Sequence, residues 1–413
     1  MDLFLSFVYL AILACTCFYV LKSSSRRQLP PGPYPLPIIG NFLELGQNPH
    51  RSLTKLSEKY GPILYLKLGS VNTVVVSSPE LARQVLQKHD QVFAGRTNTA
   101  AVEPYDHNKV SMAWMSANPR WRVLRKICKE HMFSMARLDS SQYLRQEKLR
   151  QLREYVHECC RTSRAVDISD AAFTTSLNLI SASLFSIDFA HFNTDSSQEL
   201  KELVHGMMEL TGTPNLADYF PVMKPFDPQG IKRKSKVYAG KVLAIFHDII
   251  EQRLRQGDDK STPLETRNDL LESLLDLTRR NENDLSRKEV VHLLLDLFAA
   301  GTESTTTTAE WVMTELIRNP SKMSMTRQEL QTVVGENKEI QESDISNLPY
   351  LRAVVKEVFR LHPPGPFLIP HKAETDTELE GYILPKDTQI LVNLWKLGRD
   401  PSSWLNPDVF EPE

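Results

Sequence analysis

Residues 293–308 read LLLDLFAAGTESTTTT, and they decide how the rest of the chain is interpreted. Apolar residues run from 290 to 300 with almost no polar face, the mark of a helix buried on all sides. Ala300 and Gly301 then remove side-chain bulk, and Glu303, Ser304 and Thr305 add an acid and two hydroxyls one turn further on. A glycine followed by hydroxyl residues is a place where the i to i−4 ladder can open or kink. A flat group could approach the backbone there, and a carboxylate with hydroxyls suits proton delivery to it. A buried helix with a glycine packing notch and back-bonding Ser and Thr gives the same residues. The stretch alone leaves both readings open.

The helix is capped by Asp284 or Ser286 and runs to Arg318, where Asn319-Pro320 ends it. Before it, period and punctuation predict a helix over 50–60 closed by Gly61-Pro62. A hairpin over 63–68 and 73–77 and a helix over 79–88 come next. Residues 100–115 have no clear period and are expected to be a loop. Residues 118–132, NPRWRVLRKICKEHM, form a helix with a basic side of Arg122, Arg125, Lys126 and Lys129. Trp121 and Arg125, four apart, share a face and could hold an anion, although a solvated basic face with a Trp anchor is the reading preferred on the spacing alone. Residues 139–255 are mostly helical, with a polar break at 193–198 and a Pro- and aromatic-rich break at 215–230, and 256–268 is a charged linker. After the long helix, helices are expected over 323–334 and 349–361 and short strands over 367–371, 378–383 and 389–393. The fold class is mainly α with small β-sheets.

Residues 3–21 carry no charge and are just long enough to span a bilayer. Lys22, Arg26 and Arg27 all follow the run, so we expect a signal anchor over 1–22 with the remainder cytosolic; a cleaved secretory signal is the alternative. Residues 23–41 are a Pro-rich hinge containing LPPGPYPLPIIGN, expected to be a stiff spacer, and 42–413 follow as one catalytic domain. A net charge of −2 gives no reason to expect nucleic acid. The 5 cysteines show no disulfide or zinc spacing, which favours a reducing compartment. The chain has neither a Gly-rich phosphate loop nor a Gly-x-Ser-x-Gly elbow, so nucleotide binding and serine hydrolysis lose their usual signals.

Glu357 and Arg360 stand at helix spacing, as do Glu80/Arg83, Glu147/Arg150, Glu158/Arg161 and Glu315/Arg318, which are ordinary pairs on solvated helices. Order gives the first pair its meaning. An apolar leader and Pro-rich segment precede Trp-x-x-x-Arg, then Ala-Gly-x-Glu-Ser-Thr, Glu-x-x-Arg, His362-Pro363-Pro364 and Phe410-Glu411-Pro412-Glu413. Over its whole length the chain resembles a microsomal cytochrome P-450. It looks most like the plant terpenoid-oxidising type that includes geraniol 8-hydroxylase and ferruginol synthase. The resemblance implies a haem-thiolate monooxygenase with haem b, acting on a small hydrophobic substrate such as a terpenoid. It implies electrons from NADPH through NADPH–cytochrome P-450 reductase, and a single-pass anchor in the endoplasmic reticulum membrane. It gives Ala300, Gly301, Glu303, Ser304 and Thr305 the oxygen-activating role. Trp121, Arg125 and His371 become propionate contacts, and Glu357 and Arg360 the lock of the proximal core. Phe298, Pro366, Phe367 and Leu368 become substrate contacts, with 101–115 and 215–226 as substrate-facing segments.

Two departures stand out. Ser304 occupies a position that is usually Thr, keeping the hydroxyl but not the methyl that fixes its rotamer. The thiolate sits on a Phe-x-x-Gly loop that the resemblance places beyond Glu413, so no residue of this chain is expected to ligate iron, and the chain is expected to be C-terminally truncated. Two further functions therefore stay open: a fragment without catalysis, and a membrane-anchored haem- or lipid-binding protein.

Overall fold

The computed structural model describes residues 29–192, 195–258, 269–280, 285–335 and 338–413. The anchor expected over 1–22 lies outside the described residues, as do Asp284 and most of the linker. The span expected to form one catalytic domain divides into two compact units.

The smaller unit comprises the described residues up to Gly95 together with Phe367–Asn393. Its helix α1 (Pro49–Tyr60) is followed by strands β1 (Ile63–Leu68) and β2 (Val71–Val76), an antiparallel hairpin. The later strands are β3 (Gly95–Arg96), β4 (His371–Lys372), β5 (Thr377–Leu379), β6 (Tyr382–Leu384) and β7 (Gln389–Val392). β7 pairs parallel to β2 and antiparallel to β4, while β5 and β6 form a separate hairpin. Alternating Val, Ile and Leu bury this sheet: Leu64, Leu66, Val74 and Ile390 are fully buried. The strand expected over 367–371 shrinks to its last residue, because Leu368 takes a left-handed φ of 58° that breaks an extended run.

The Pro-rich segment is fastened rather than free-standing. Tyr65 N donates to Pro31 O at 2.8 Å, and Asn41 Nδ2 donates to Pro33 O at 3.2 Å. A side chain at Gly32 would meet Tyr65 O at 2.0 Å, so only glycine allows this approach.

The larger unit, Arg96–Pro366 with Leu394–Glu413, is helical. Its longer helices are α2 (Pro119–His131), α3 (Gln142–Arg161), α4 (Ile168–Phe185), α5 (Asp195–Gly212) and α6 (Ile231–Asp258). They continue with α7 (Leu270–Arg279), α8 (Arg287–Arg318), α9 (Pro320–Val333) and α10 (Pro349–Leu361). α8 is the hub: it packs along α4 and touches α5, α6, α7, α9 and α10. Its start is a capping box, with Ser286 Oγ accepting from Glu289 N and the Glu289 carboxylate accepting from Ser286 N. The apolar first half of α8 meets an aromatic cluster in which Phe246 stands edge-on to Phe298 at 5.3 Å and tilts against Phe185 at 4.9 Å. The loop expected over 100–115 contains short 3-10 turns and a one-turn helix, His107–Val110.

Candidate active site

α8 is helical without interruption from Arg287 to Arg318, so of the two readings left open at Gly301 the closed ladder holds. The hydroxyls bond back onto their own helix, Thr302 to Phe298 O at 2.8 Å, Ser304 to Ala300 O at 2.7 Å and Thr306 to Thr302 O at 2.9 Å, and the ladder stays closed beside them. The bulk missing at Gly301 is taken up by α4, since a Cβ there would lie 2.7 Å from Ile180 Cδ1. The open face lies one position back and one turn on. Ala300, Ser304 and Thr305 are exposed, on a helix whose neighbours from Val290 to Phe298 are buried.

Glu303 turns towards α5, where its Oε1 lies 3.0 Å from His205 Nδ1. His205 is exposed and Glu303 is not fully covered, so the pair sits at an edge where solvent meets the open face. No pattern in the sequence marks His205, because the contact spans 98 residues.

Trp121 and Arg125 do share a face of α2: the guanidinium lies 5.3 Å from the indole centroid. The indole N–H, however, already donates to Met112 O at 2.9 Å, while Arg125 is exposed. His371 belongs to the smaller unit, where its Nδ1 meets Phe93 O at 2.7 Å. Phe298, expected to face substrate, is fully buried among Phe246 and Phe189. Pro366 O accepts from Leu394 N at 2.9 Å, and Leu368 is exposed.

Glu357 and Arg360 form a buried, bidentate pair at 2.7 and 2.6 Å. The rest of the guanidinium binds carbonyls: Gly398 O and Pro407 O, both at 2.6 Å, and Val409 O at 2.8 Å. Glu411 N donates to Glu357 Oε1 at 2.9 Å, so the pair clamps residues 398–411 onto α10. Glu147/Arg150 and Glu158/Arg161 are exposed pairs, as expected. Glu315 is not: it is buried, and its Oε1 lies 2.8 Å from Nε2 of His362, whose ring stacks on Trp311 at 3.6 Å. Burial pushes the pKa of His362 below its ordinary value, with the bond to Glu315 opposing.

The open, small-residue face of α8 fits a flat ligand, and Arg125 is a cation suited to an acidic edge. The described cysteines offer no thiolate beside that face. Cys128 is buried in the core, with its thiol pushed up to about 12 by burial and by the charge of Asp296. Cys159 is buried on α3 and accepts from Arg164 Nη2 at 3.1 Å, and Cys160 is exposed on the same helix. Among the described residues the open face of α8 thus fits one side of a flat cofactor, and no cysteine lies on that helix.

A distal helix carrying Ala-Gly-x-Glu-Ser-Thr, a Glu–Arg clamp on α10 and a small mixed sheet define the class, and residues 30–413 match the family model "Cytochrome P450". The chain belongs to the cytochrome P450 family, whose members are haem-thiolate monooxygenases supplied with electrons by a redox partner. It is similar to "Cytochrome P450 76T24" of Catharanthus roseus, at 53% identity over 100% of this chain and 83% of that relative. It is 50% identical to a ferruginol synthase of Isodon rubescens, over 98% of this chain and 82% of the relative. A sugiol synthase of Salvia miltiorrhiza is 46% identical over 100% of this chain and 83% of that enzyme.

Proposed function

We propose that the chain is a plant-type monooxygenase that places one oxygen atom from O₂ on a C–H bond of a small terpenoid. Haem b is its cofactor, and electrons come from NADPH through NADPH–cytochrome P450 reductase. The observation that carries this reading is the open face of α8, where Ala300, Ser304 and Thr305 are exposed beside the acid Glu303. Similarity to ferruginol synthase and sugiol synthase supports a terpenoid substrate.

When bound, haem supplies the oxygen chemistry, and the protein supplies position and protons. Ala300 keeps the face clear of bulk. Exposed His205 takes a proton from water and passes it across 3.0 Å to Glu303. Ser304 Oγ rests on Ala300 O at 2.7 Å and releases that carbonyl in order to donate outward. Arg125 would hold an acidic edge of the cofactor. Trp121 would do so only by giving up Met112 O; His371 is assigned the same role by resemblance.

For location, we propose an endoplasmic reticulum membrane anchor over residues 1–22 with the remainder cytosolic. The support is the charge-free run 3–21 followed by Lys22, Arg26 and Arg27. Among the described residues no helix is long and apolar enough to cross a membrane.

The test uses the full-length protein that contains this sequence, co-expressed with the reductase and given NADPH and a diterpene of the ferruginol type. An NADPH-dependent hydroxylated product, with the long-wavelength Soret band of a thiolate-ligated carbon monoxide complex, is expected. Haem uptake with neither product nor that band would replace monooxygenase by haem binding alone.

A further inference from the structure

An acid in the middle of an apolar helix run demands partners, and those of Asp296 all lie in one segment of chain. We propose that Asp296 is a positioning residue: together with the His107–His292 pair it latches residues 105–115 onto α8, holding that segment in place for substrate. The substrate-facing role of 101–115 belongs to the functional reading above, and the proposal rests on it.

The latch is built from short contacts, and Ser111, His292 and Asp296 among its groups are buried. Asp296 Oδ1 accepts from Ser111 Oγ at 2.7 Å, and Oδ2 accepts from Met112 N at 2.7 Å. Ser111 Oγ in turn accepts from Ala113 N at 3.1 Å and Trp114 N at 3.2 Å, so one carboxylate orders four consecutive residues. His107 Nε2 lies 3.2 Å from Asp296 Oδ1, and its Nδ1 lies 2.8 Å from Nδ1 of His292 on α8.

Two proton arrangements satisfy both histidine contacts. In one, His292 donates to a neutral His107, which donates to Asp296. In the other, His107 carries both hydrogens and His292 accepts. A second proton sets N–H against N–H and opens the pair. The segment also needs holding. Tyr105 and Asp106, neither of them glycine, both take φ of 58°, and such backbone persists only where its surroundings fix it. Lys288 Nζ, 3.0 Å from Asp106 Oδ2, adds an outer tie. A cavity of about 420 Å³ opens beside the latch, lined by Tyr105, His247, Val291 and His292 among others.

Hydrogen exchange of the full chain, without substrate, tests the latch directly. In Asp296→Ala the amides of Met112, Ala113 and Trp114 are expected to exchange about tenfold faster or more, as loss of a charged hydrogen bond implies. Asp296→Asn, which keeps one acceptor, is expected to recover part of that protection. The amides of Phe189 and Ala190, held by Asn178 Oδ1 at 3.0 Å, serve as the control and should not change. Unchanged protection at 112–114 overturns the latch. If Asp296→Ala loosens the control amides too, His292→Gln decides, since it removes only the histidine contact: faster exchange confined to 105–115 supports the latch, and wild-type exchange there overturns it. Steady-state kinetics tests the positioning role. A several-fold rise in KM with kcat nearly unchanged in Asp296→Asn is expected. Lost protection with unmoved KM overturns that role, while the monooxygenase reading still stands or falls on product formation.

Discussion

Individual side chains in this protein are decided by the company that burial forces on them. His292 is 4% exposed, and burial, with His107 and Lys288 adding to it, lowers its pKa from the ordinary 6.5 to about 4; Asp296 opposes the shift and His247 adds to it. Between those values the unfolded chain binds a proton that the folded chain refuses. Stability is therefore complete above about pH 6.5 and falls as pH drops towards about 4. The loss from this residue is on the order of 3 kcal/mol. His292→Gln should flatten that part of the stability–pH curve, measured by denaturant unfolding at pH 7 and at pH 5; an unaltered slope refutes the assignment. Arg360 is the opposite case, a buried charge with a partner on every side. Arg360→Met should cost about 3–5 kcal/mol, because Glu357 is left buried without a counter-charge. Glu357→Gln/Arg360→Met together should cost less than the sum of the single changes, a coupling that a double-mutant cycle in thermal unfolding reads directly.

The elements follow from local rules, and their side-chain partners do not. α2, α8 and α10 lie where periodicity, Asn118, Ser286 and the prolines place them, because caps and breakers act over a few residues. The hairpin at β1 and β2 is legible for the same reason. What stayed hidden is what joins residues far apart: His205 to Glu303 across 98 positions, His362 to Glu315 across 47, and Ser111 to Asp296 across 185. Glu315 looked like a surface residue because its i+3 partner is Arg318, yet helix spacing does not say which face is covered. Asp296 alone carried a signal, as the one acid in an apolar run. Gly301 shows how one sequence feature serves two readings, since the gap that invites a flat ligand is filled by Ile180. Gly301→Val should overpack the α4–α8 contact by about 1–3 kcal/mol. Ile180→Ala in the same chain should restore part of the loss, which chemical denaturation of the two single variants and the double variant will show. No coupling between the two sites would place the notch elsewhere.

At the level of the molecule, the charge balance and the leader make separate statements. A net charge of −2 on 413 residues gives little long-range attraction to an anionic surface, so the proposed membrane attachment rests on apolar length. Residues 3–21 supply 19 uncharged positions, which as a helix at about 1.5 Å each reach about 28 Å, close to the roughly 30 Å hydrocarbon layer. Among the described residues no helix is long and apolar enough to cross a membrane. The orientation proposed above, with the C-terminal side in the cytosol, rests on Lys22, Arg26 and Arg27. Deleting residues 1–22 should therefore move the protein from the membrane pellet to an alkaline-carbonate or high-salt supernatant. Salt alone should leave the intact chain in the pellet, because screening weakens charge contacts and not apolar burial. The Glu357–Arg360 clamp and the Asp296 latch are built entirely within the larger unit, so the shortened chain should keep the unfolding midpoint of the full one. A shortened chain that still pellets after carbonate washing would shift the anchor to the body of the protein, and the exposed apolar residues Val222 and Phe226 would then be the first to substitute.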